Sequence, residues 1–173
     1  RCGDRVQYGF PENREQRNLP HNCLYRADKS GDHILLVDEK ITVAEFCRST
    51  LELFFHIKRE NISICNTGTV ALEELNRLKI EGKRCGLVVL SIGLDDISGL
   101  SVIDEIYSRN YQIDTVLTWD ESNSKLSKED FDRLSKMIEQ KKLIKTVVLK
   151  PFHSDAFVEA IKLVKNDRLK IVI

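Results

Sequence analysis

A few side chains with chemical use are spread along the chain: the carboxylates of Asp38 and Glu39, the hydroxyls of Ser91 and Thr118, and the ammonium of Lys150, which Pro151 follows. Each closes an apolar run. Ile34-Leu35-Leu36-Val37 leads to Asp38, Cys85 to Leu90 leads to Ser91, the run from Ile113 ends at Thr118, and Ile144 to Leu149 leads to Lys150. If these runs are strands of one parallel sheet, two carboxylates, two hydroxyls and one ammonium converge at one sheet edge. Such a set can hold an ion or pair internally. Its serine, lacking an adjacent general base, is a poor nucleophile. Any one polar residue at a strand end means little, because the chain is leaving the core there. The order and local contexts together carry the argument.

The elements that must position these residues are legible in the hydrophobic pattern. Continuous apolar runs suit strands buried on both faces. Between them lie segments of helical spacing. Thr42 to Ile57 has apolar residues at Val43, Phe46, Cys47, Leu51, Phe54 and Phe55, with Thr42 as N-cap and Glu45 completing a capping box. Asn61 to Cys65 reads as the second strand and Val70 to Leu78 as the second helix. Gly99 to Arg109 reads as the third helix, after a loop from Ser91 to Ser98. Lys128 to Lys141 reads as the fourth, with Phe131, Leu134, Met137 and Ile138 as its apolar stripe, and His153 to Val164 as the fifth. This alternation predicts an α/β, doubly wound, parallel sheet of five strands, with its site at the carboxyl ends of the strands. Residues 1–32, polar and holding two of the three prolines, read as a linker or N-terminal extension. Residues 33–166 form the domain, and 167–173 form a tail or an added strand.

Four stretches in this order resemble the receiver domains of response regulators, over roughly residues 33 to 165. HILLVDEK is similar to the first strand and its acidic pair. LVVLSIGLDDISGLSVIDEI is similar to the third strand, phosphoacceptor loop and third helix. TVLTWD and VVLKPF are similar to the fourth and fifth strands. The resemblance implies a flavodoxin-like (βα)5 fold with strand order 2-1-3-4-5. In that family an acidic pair holds Mg²⁺, an aspartate accepts a phosphoryl group, a Ser or Thr moves to meet it, and a lysine pairs with it. A carboxylate can attack phosphorus, and Mg²⁺ takes hard oxygen ligands. By resemblance Asp38 and Glu39 fall on the acidic pair, Thr118 on the switch hydroxyl, and Lys150-Pro151 on the lysine-proline pair, whose peptide bond is a candidate cis bond.

The main departure is at position 91. Counted back from Gly99, the glycine that opens the third helix, the phosphoacceptor aspartate should stand there, and a serine stands instead. Its loss also removes a metal ligand. No cofactor is therefore expected, with Asp38 and Glu39 the only candidates for a residual Mg²⁺ site. Trp119 replaces a small residue and implies a crowded pocket. Asp95 and Asp96, as loop residues, are expected to point away from it. The connection from Thr118 to Lys150 is longer than usual, which implies an altered fourth helix and an altered partner face. Lys150 between the Asp38–Glu39 pair and Ser91 would form a permanent salt bridge, a locked site; a leftover pocket without function is the alternative.

Other features exclude more than they add. Lys plus Arg equals Asp plus Glu, at 27 each, so no global basic surface invites nucleic acid. No apolar run is long enough for a bilayer and no secretory signal is present. A start at Arg1 points to a piece of a longer protein. Cys2, Cys23, Cys47, Cys65 and Cys85 include no CxxC pair, so buried reduced thiols are expected rather than zinc. Asn66-Thr67-Gly68-Thr69 follows the second strand and lacks a P-loop lysine, so it reads as a turn. His56 reads as an exposed helix end and His153 as the start of the last helix. Lys141, Lys142 and Lys145 read as a solvated helix end.

The expectation is a non-enzymatic pseudo-receiver within a two-component or phosphorelay protein such as a hybrid histidine kinase. It would act by phosphorylation-independent protein–protein contact. Its partners would be other signalling proteins, with a histidine kinase, a phosphotransfer protein or a second copy as candidates. The domain would be cytoplasmic, without membrane or nucleic-acid contact, in a parent that is soluble, membrane-anchored or nuclear. The alternative is a residual switch, in which Ser91 phosphorylation or binding of a metal or anion at the Asp38/Glu39/Lys150 pocket regulates a partner. An enzyme of another doubly wound family ranks last, for want of a nucleophile–base pair or a cofactor loop.

Overall fold

A computed structural model describes residues 32–120, 127–140, 144–165 and 170–172. Its strands are β1 (His33–Val37), β2 (Ile62–Cys65), β3 (Cys85–Ser91), β4 (Asp114–Asp120), β5 (Ile144–Lys150) and β6 (Lys170–Val172). The helices between them are α1 (Ile41–Phe55), α2 (Gly68–Ile80), α3 (Gly99–Ser108), α4 (Lys128–Gln140) and α5 (Ser154–Lys165). All strands pair in parallel, in the order β2-β1-β3-β4-β5-β6. The first five follow the 2-1-3-4-5 order of a flavodoxin-like fold. The sixth extends it, since Lys170 to Val172 pair with Thr146 to Val148 of β5. The N-terminal segment with Cys2 and Cys23, and Lys141 and Lys142, lie outside the described residues.

The strands are continuous apolar runs because both sheet faces are covered. On one face Leu35, Val37, Val88, Leu90 and Leu117 pack with Leu75 and Leu78 of α2, Ile103 and Ile106 of α3, and Leu134 and Met137 of α4. On the other Ile34, Leu36, Val89, Val116 and Val148 meet Cys47 and Leu51 of α1 and Phe157 and Ile161 of α5. Strand alternation sends successive side chains to opposite cores. The α4 stripe is narrower than its sequence suggests: Phe131 is 52% exposed, while Leu134 and Met137 are buried. Cys47, Cys65 and Cys85 are free and buried, and burial pushes each thiol up to about 12.

Helix ends follow local chemistry, with one correction. Thr67 caps α2 by accepting the Val70 N–H, Ser98 caps α3 through the Ser101 N–H, and Ser127 caps α4 through the Asp130 N–H. Thr42 does not cap α1. The N-cap lies two residues earlier, at Lys40, with no side-chain cap bond, and the helix begins at Ile41. The cause is the preceding turn, in which Asp38 accepts the Lys40 N–H at 3.0 Å. At the far end His56 takes a left-handed conformation (φ 55°), and the Ile57 N–H reaches back to the Leu51 carbonyl, ending the helix before Ile57.

Gly99 sets the spacing between β3 and α3. Its N–H donates to the Ile92 carbonyl at 2.9 Å, and a Cβ added there would run into the Ser91 carbonyl and lie 2.9 Å from the Ile92 Cα. Backbone cannot yield as a side-chain tip can, so Gly99→Ala should cost about 1–3 kcal/mol of stability, as overpacking does. A midpoint in urea unchanged from the parent would contradict this close approach.

Candidate functional site

The carboxyl ends of β1, β3, β4 and β5 bring the predicted residues together. Asp38 follows β1 directly and is 4% exposed, while Ser91 ends β3 at 3% and Thr118 lies in β4 at 2%. Ser91 and Thr118 face each other in register, and the Ile92 N–H donates to the Thr118 carbonyl at 2.9 Å. Lys150 ends β5, and its peptide bond to Pro151 is cis.

The centre of the site is the Lys150 ammonium. Nζ donates to Asp38 Oδ2 at 2.5 Å and to Ser91 Oγ at 3.1 Å. The Lys150 and Asp38 side chains are only 8% and 5% exposed, so this is a buried ion pair. Ser91 Oγ in turn donates to the Gly93 carbonyl at 3.4 Å. One lysine thus ties together the ends of β1, β3 and β5. Thr118 Oγ1 is buried beside this cluster and has no hydrogen-bond partner among the described residues.

A second ion pair lies across the mouth. Lys40 Nζ meets Asp120 Oδ2 at 3.3 Å, with side chains 45% and 20% exposed. Neither residue was singled out from sequence. Asp120 had a signal: it stands two residues after Thr118 on the same strand, hence on the same sheet face. Lys40, 80 positions away, had none. A cleft of about 280 Å³ opens here, lined by both residues with Lys150, Phe46, Pro151 and Phe152. Phe152 stacks on buried Phe157 with ring centres 5.8 Å apart and meets Phe46 at 5.9 Å.

The rest of the acidic pair behaves differently. Burial raises the Glu39 carboxyl above its ordinary range, and the like charge and hydrogen bond of Asp95 raise it further. Asp95 therefore reaches the acidic pair rather than turning away, which corrects the sequence expectation. Asp96 does leave the pocket, but to a definite place: it accepts the Gly68 and Thr69 N–H groups at 2.9 and 2.8 Å, at the N-terminus of α2. Burial pushes its carboxyl up, yet the N–H donors of Thr69, Ile97 and Gly68 more than offset this and hold it well below the usual range.

The donor set does not fit a Mg²⁺ ion of the receiver type. Asp38 gives one oxygen to Lys150 and the other to the Lys40 N–H. Glu39 stands beside the like-charged Asp95, and position 91 offers a neutral hydroxyl. Among the described residues no three His, Cys, Asp or Glu side chains gather as a metal cluster. Trp119 does not crowd Thr118, because strand alternation turns it to the opposite face, against the core that holds Leu117 and Leu134. His56 is an exposed helix cap, and the His153 carbonyl accepts the Phe157 N–H at the start of α5. Lys145 pairs with Asp114 at 3.4 Å.

Comparison with solved structures places the fold. The chain matches a two-component response regulator from Cytophaga hutchinsonii at 20% identity and TM-score 0.60, over 78% of this chain and 97% of that one. It matches the receiver domain of NtrX from Brucella abortus at 19% identity and TM-score 0.59, over 77% and 98%. A CheY-like receiver domain from Methanospirillum hungatei JF-1 matches at 18% and 0.59, over 79% and 95%. No family model and no curated protein matches the sequence. The chain has the receiver-domain fold, with one further strand. No described helix is long and apolar enough to cross a membrane.

Two outcomes follow from the geometry. Removing one partner of a buried pair strands the other charge, so Asp38→Asn should cost about 3–5 kcal/mol, whereas an apolar double replacement, Asp38→Leu with Lys150→Met, should restore most of the loss. Urea unfolding of the single and double variants measures both. For Glu39 the folded carboxyl lies above its unfolded value, so stability falls as pH rises through that interval. Glu39→Gln should therefore melt higher than the parent at neutral pH and equal to it below about pH 4, where the unfolded carboxyl is protonated. An equal melting temperature at neutral pH would remove the like-charge contact with Asp95.

Proposed function

We propose that this domain is a pseudo-receiver of a two-component or phosphorelay protein, acting through protein contacts that do not depend on phosphorylation. The observation that carries this reading is the Lys150 ammonium shared between Asp38 and Ser91, with no carboxylate at position 91. The lysine that would meet a phosphoryl group is already paired, and the group that would accept one is a buried hydroxyl with no base beside it. Its partners would be signalling proteins of the same systems, a histidine kinase or phosphotransfer protein foremost, or a second copy of the chain, in a cytoplasmic setting. Exposed Phe131 on α4, and Phe46 and Phe54 on α1, supply apolar surface for such contacts.

A second reading keeps a residual switch. Thr118 Oγ1, buried without a partner, leaves a hydrogen-bonding group that an anion beside Lys150 would satisfy. Phosphorylation of Ser91 itself is disfavoured by its 3% exposure, which denies a kinase access.

Titration with Mg²⁺ and beryllofluoride, followed by amide NMR shifts, separates the two. The pseudo-receiver reading expects no saturable shifts around Asp38, Thr118 and Lys150 in the parent protein. It also expects partner affinity that is the same with and without the phosphodonor mimic. Response only in Ser91→Asp would show that the serine alone silences the pocket. Saturable local shifts in the parent would sink the phosphorylation-independent reading in favour of the switch.

A further inference from the structure

The opposite, N-terminal edge of the sheet holds a hollow that the reading above does not use. It has a volume of about 430 Å³ and lies between the turn after α2 and the turn after α3. That is within the size range of small-molecule sites. Its apolar floor is Leu75, Leu78, Cys85 and Ile113, each at most 8% exposed. Four cations line it, namely Lys79, Lys83, Arg84 and Arg109, and no carboxylate does. Tyr111, Asn110 and Gln112 complete one wall, offering an aromatic ring and two amides.

Cations near helix C-termini often serve only to satisfy the last carbonyls. Here the backbone already does that work. The Gly82 and Lys83 N–H groups donate to the Lys79 and Leu78 carbonyls at 3.1 and 2.8 Å. At the end of α3 the Asn110 and Tyr111 N–H groups donate to the Tyr107 and Ile106 carbonyls at 3.0 and 3.1 Å. Both turns are fixed by left-handed residues, Gly82 (φ 69°) and Asn110 (φ 55°). Three of the four cations are partly neutralised, all from outside the hollow. Lys83 pairs with Glu81 at 2.8 Å and Arg109 with Glu105 at 3.2 Å, through carboxylates that do not line the hollow. Arg84 meets Asp32 only at 3.9 Å, and the Lys79 ammonium lies over the Tyr111 ring, 5.3 Å from its centre. A chain of zero formal charge thus concentrates four cationic side chains around one apolar hollow.

We propose that this hollow binds an organic phosphate of nucleotide size. The cations would meet the phosphate, as they do at phosphate sites generally. The apolar floor and Tyr111 would take the ring, and the Asn110 and Gln112 amides its polar edge. The site is independent of the Asp38–Lys150 centre, which lies at the other ends of the strands.

The test is an amide NMR titration of the whole chain with AMP, alongside adenosine and inorganic phosphate as separate probes. Saturable shifts with AMP at Gly82, Tyr111 and Ile113, without shifts at Asp38 or Lys150, are expected. Adenosine and inorganic phosphate should each bind at least about tenfold more weakly. In Lys79→Glu and Arg109→Glu, whose side chains are at the surface, AMP affinity should fall about tenfold or more while adenosine is unaffected. Absence of saturable AMP shifts at millimolar concentration would overturn the proposal. So would inorganic phosphate binding as tightly as AMP, or AMP affinity unchanged in both charge-reversal variants.

Discussion

A buried ammonium cannot stand alone. Moving a charge out of water costs several kcal/mol even after relaxation, and only close, well-aligned partners offset it. Lys150 meets this requirement by drawing the ends of three strands together: Asp38 after β1, Ser91 at the end of β3, and its own position at the end of β5. The strand ends, the turn that starts α1 and the first residues of the β3–α3 loop are arranged around that one nitrogen. Gly99 serves the same constraint from outside, since only a residue without a side chain lets α3 begin hard against the Ser91 carbonyl. A pair of this kind contributes less to stability than to defining one arrangement of the pocket.

The neutral hydroxyl at position 91 shapes the electrostatics of the site. Ser91 keeps a hydrogen bond from Lys150 but brings no charge, so the lysine answers to Asp38 alone. The remaining acids have found other roles. Burial and the like-charged Asp95 beside it raise the Glu39 carboxyl, and Asp96 holds the first N–H groups of α2. Lys40 and Asp120 close the mouth with a more exposed pair.

Much of this was legible before any coordinates. Fully buried strands leave continuous apolar runs, so β1, β3, β4 and β5 announced themselves, and the residues ending them marked the site. Helix starts were less legible. Thr42 and Glu45 make a persuasive capping box, but the turn held by Asp38 puts the N-cap two residues earlier, at Lys40, a three-dimensional effect that no local pattern encodes. β6 is three residues long, too short to give a periodic signal, and stood only as one of two alternatives. The Lys40–Asp120 pair joins residues 80 positions apart. Phe131 looked like part of a core stripe because helical spacing reports a face of the helix, not what covers it. The basic hollow was hidden for a similar reason: its cations come from the ends of two different helices and the loops after them.

An all-parallel sheet has two chemically different edges. Every described strand enters from the same side and leaves from the other, as far as β6, which pairs parallel to β5. The domain is therefore vectorial. The chain arrives at β1 on the edge that holds the basic hollow, and β6 points out of the edge that holds the Lys150 pair. The two edges are separated by roughly 20 Å of strand. Anything bound at one edge sits on the side where β1 starts, and anything docked at the other sits on the side where β6 ends.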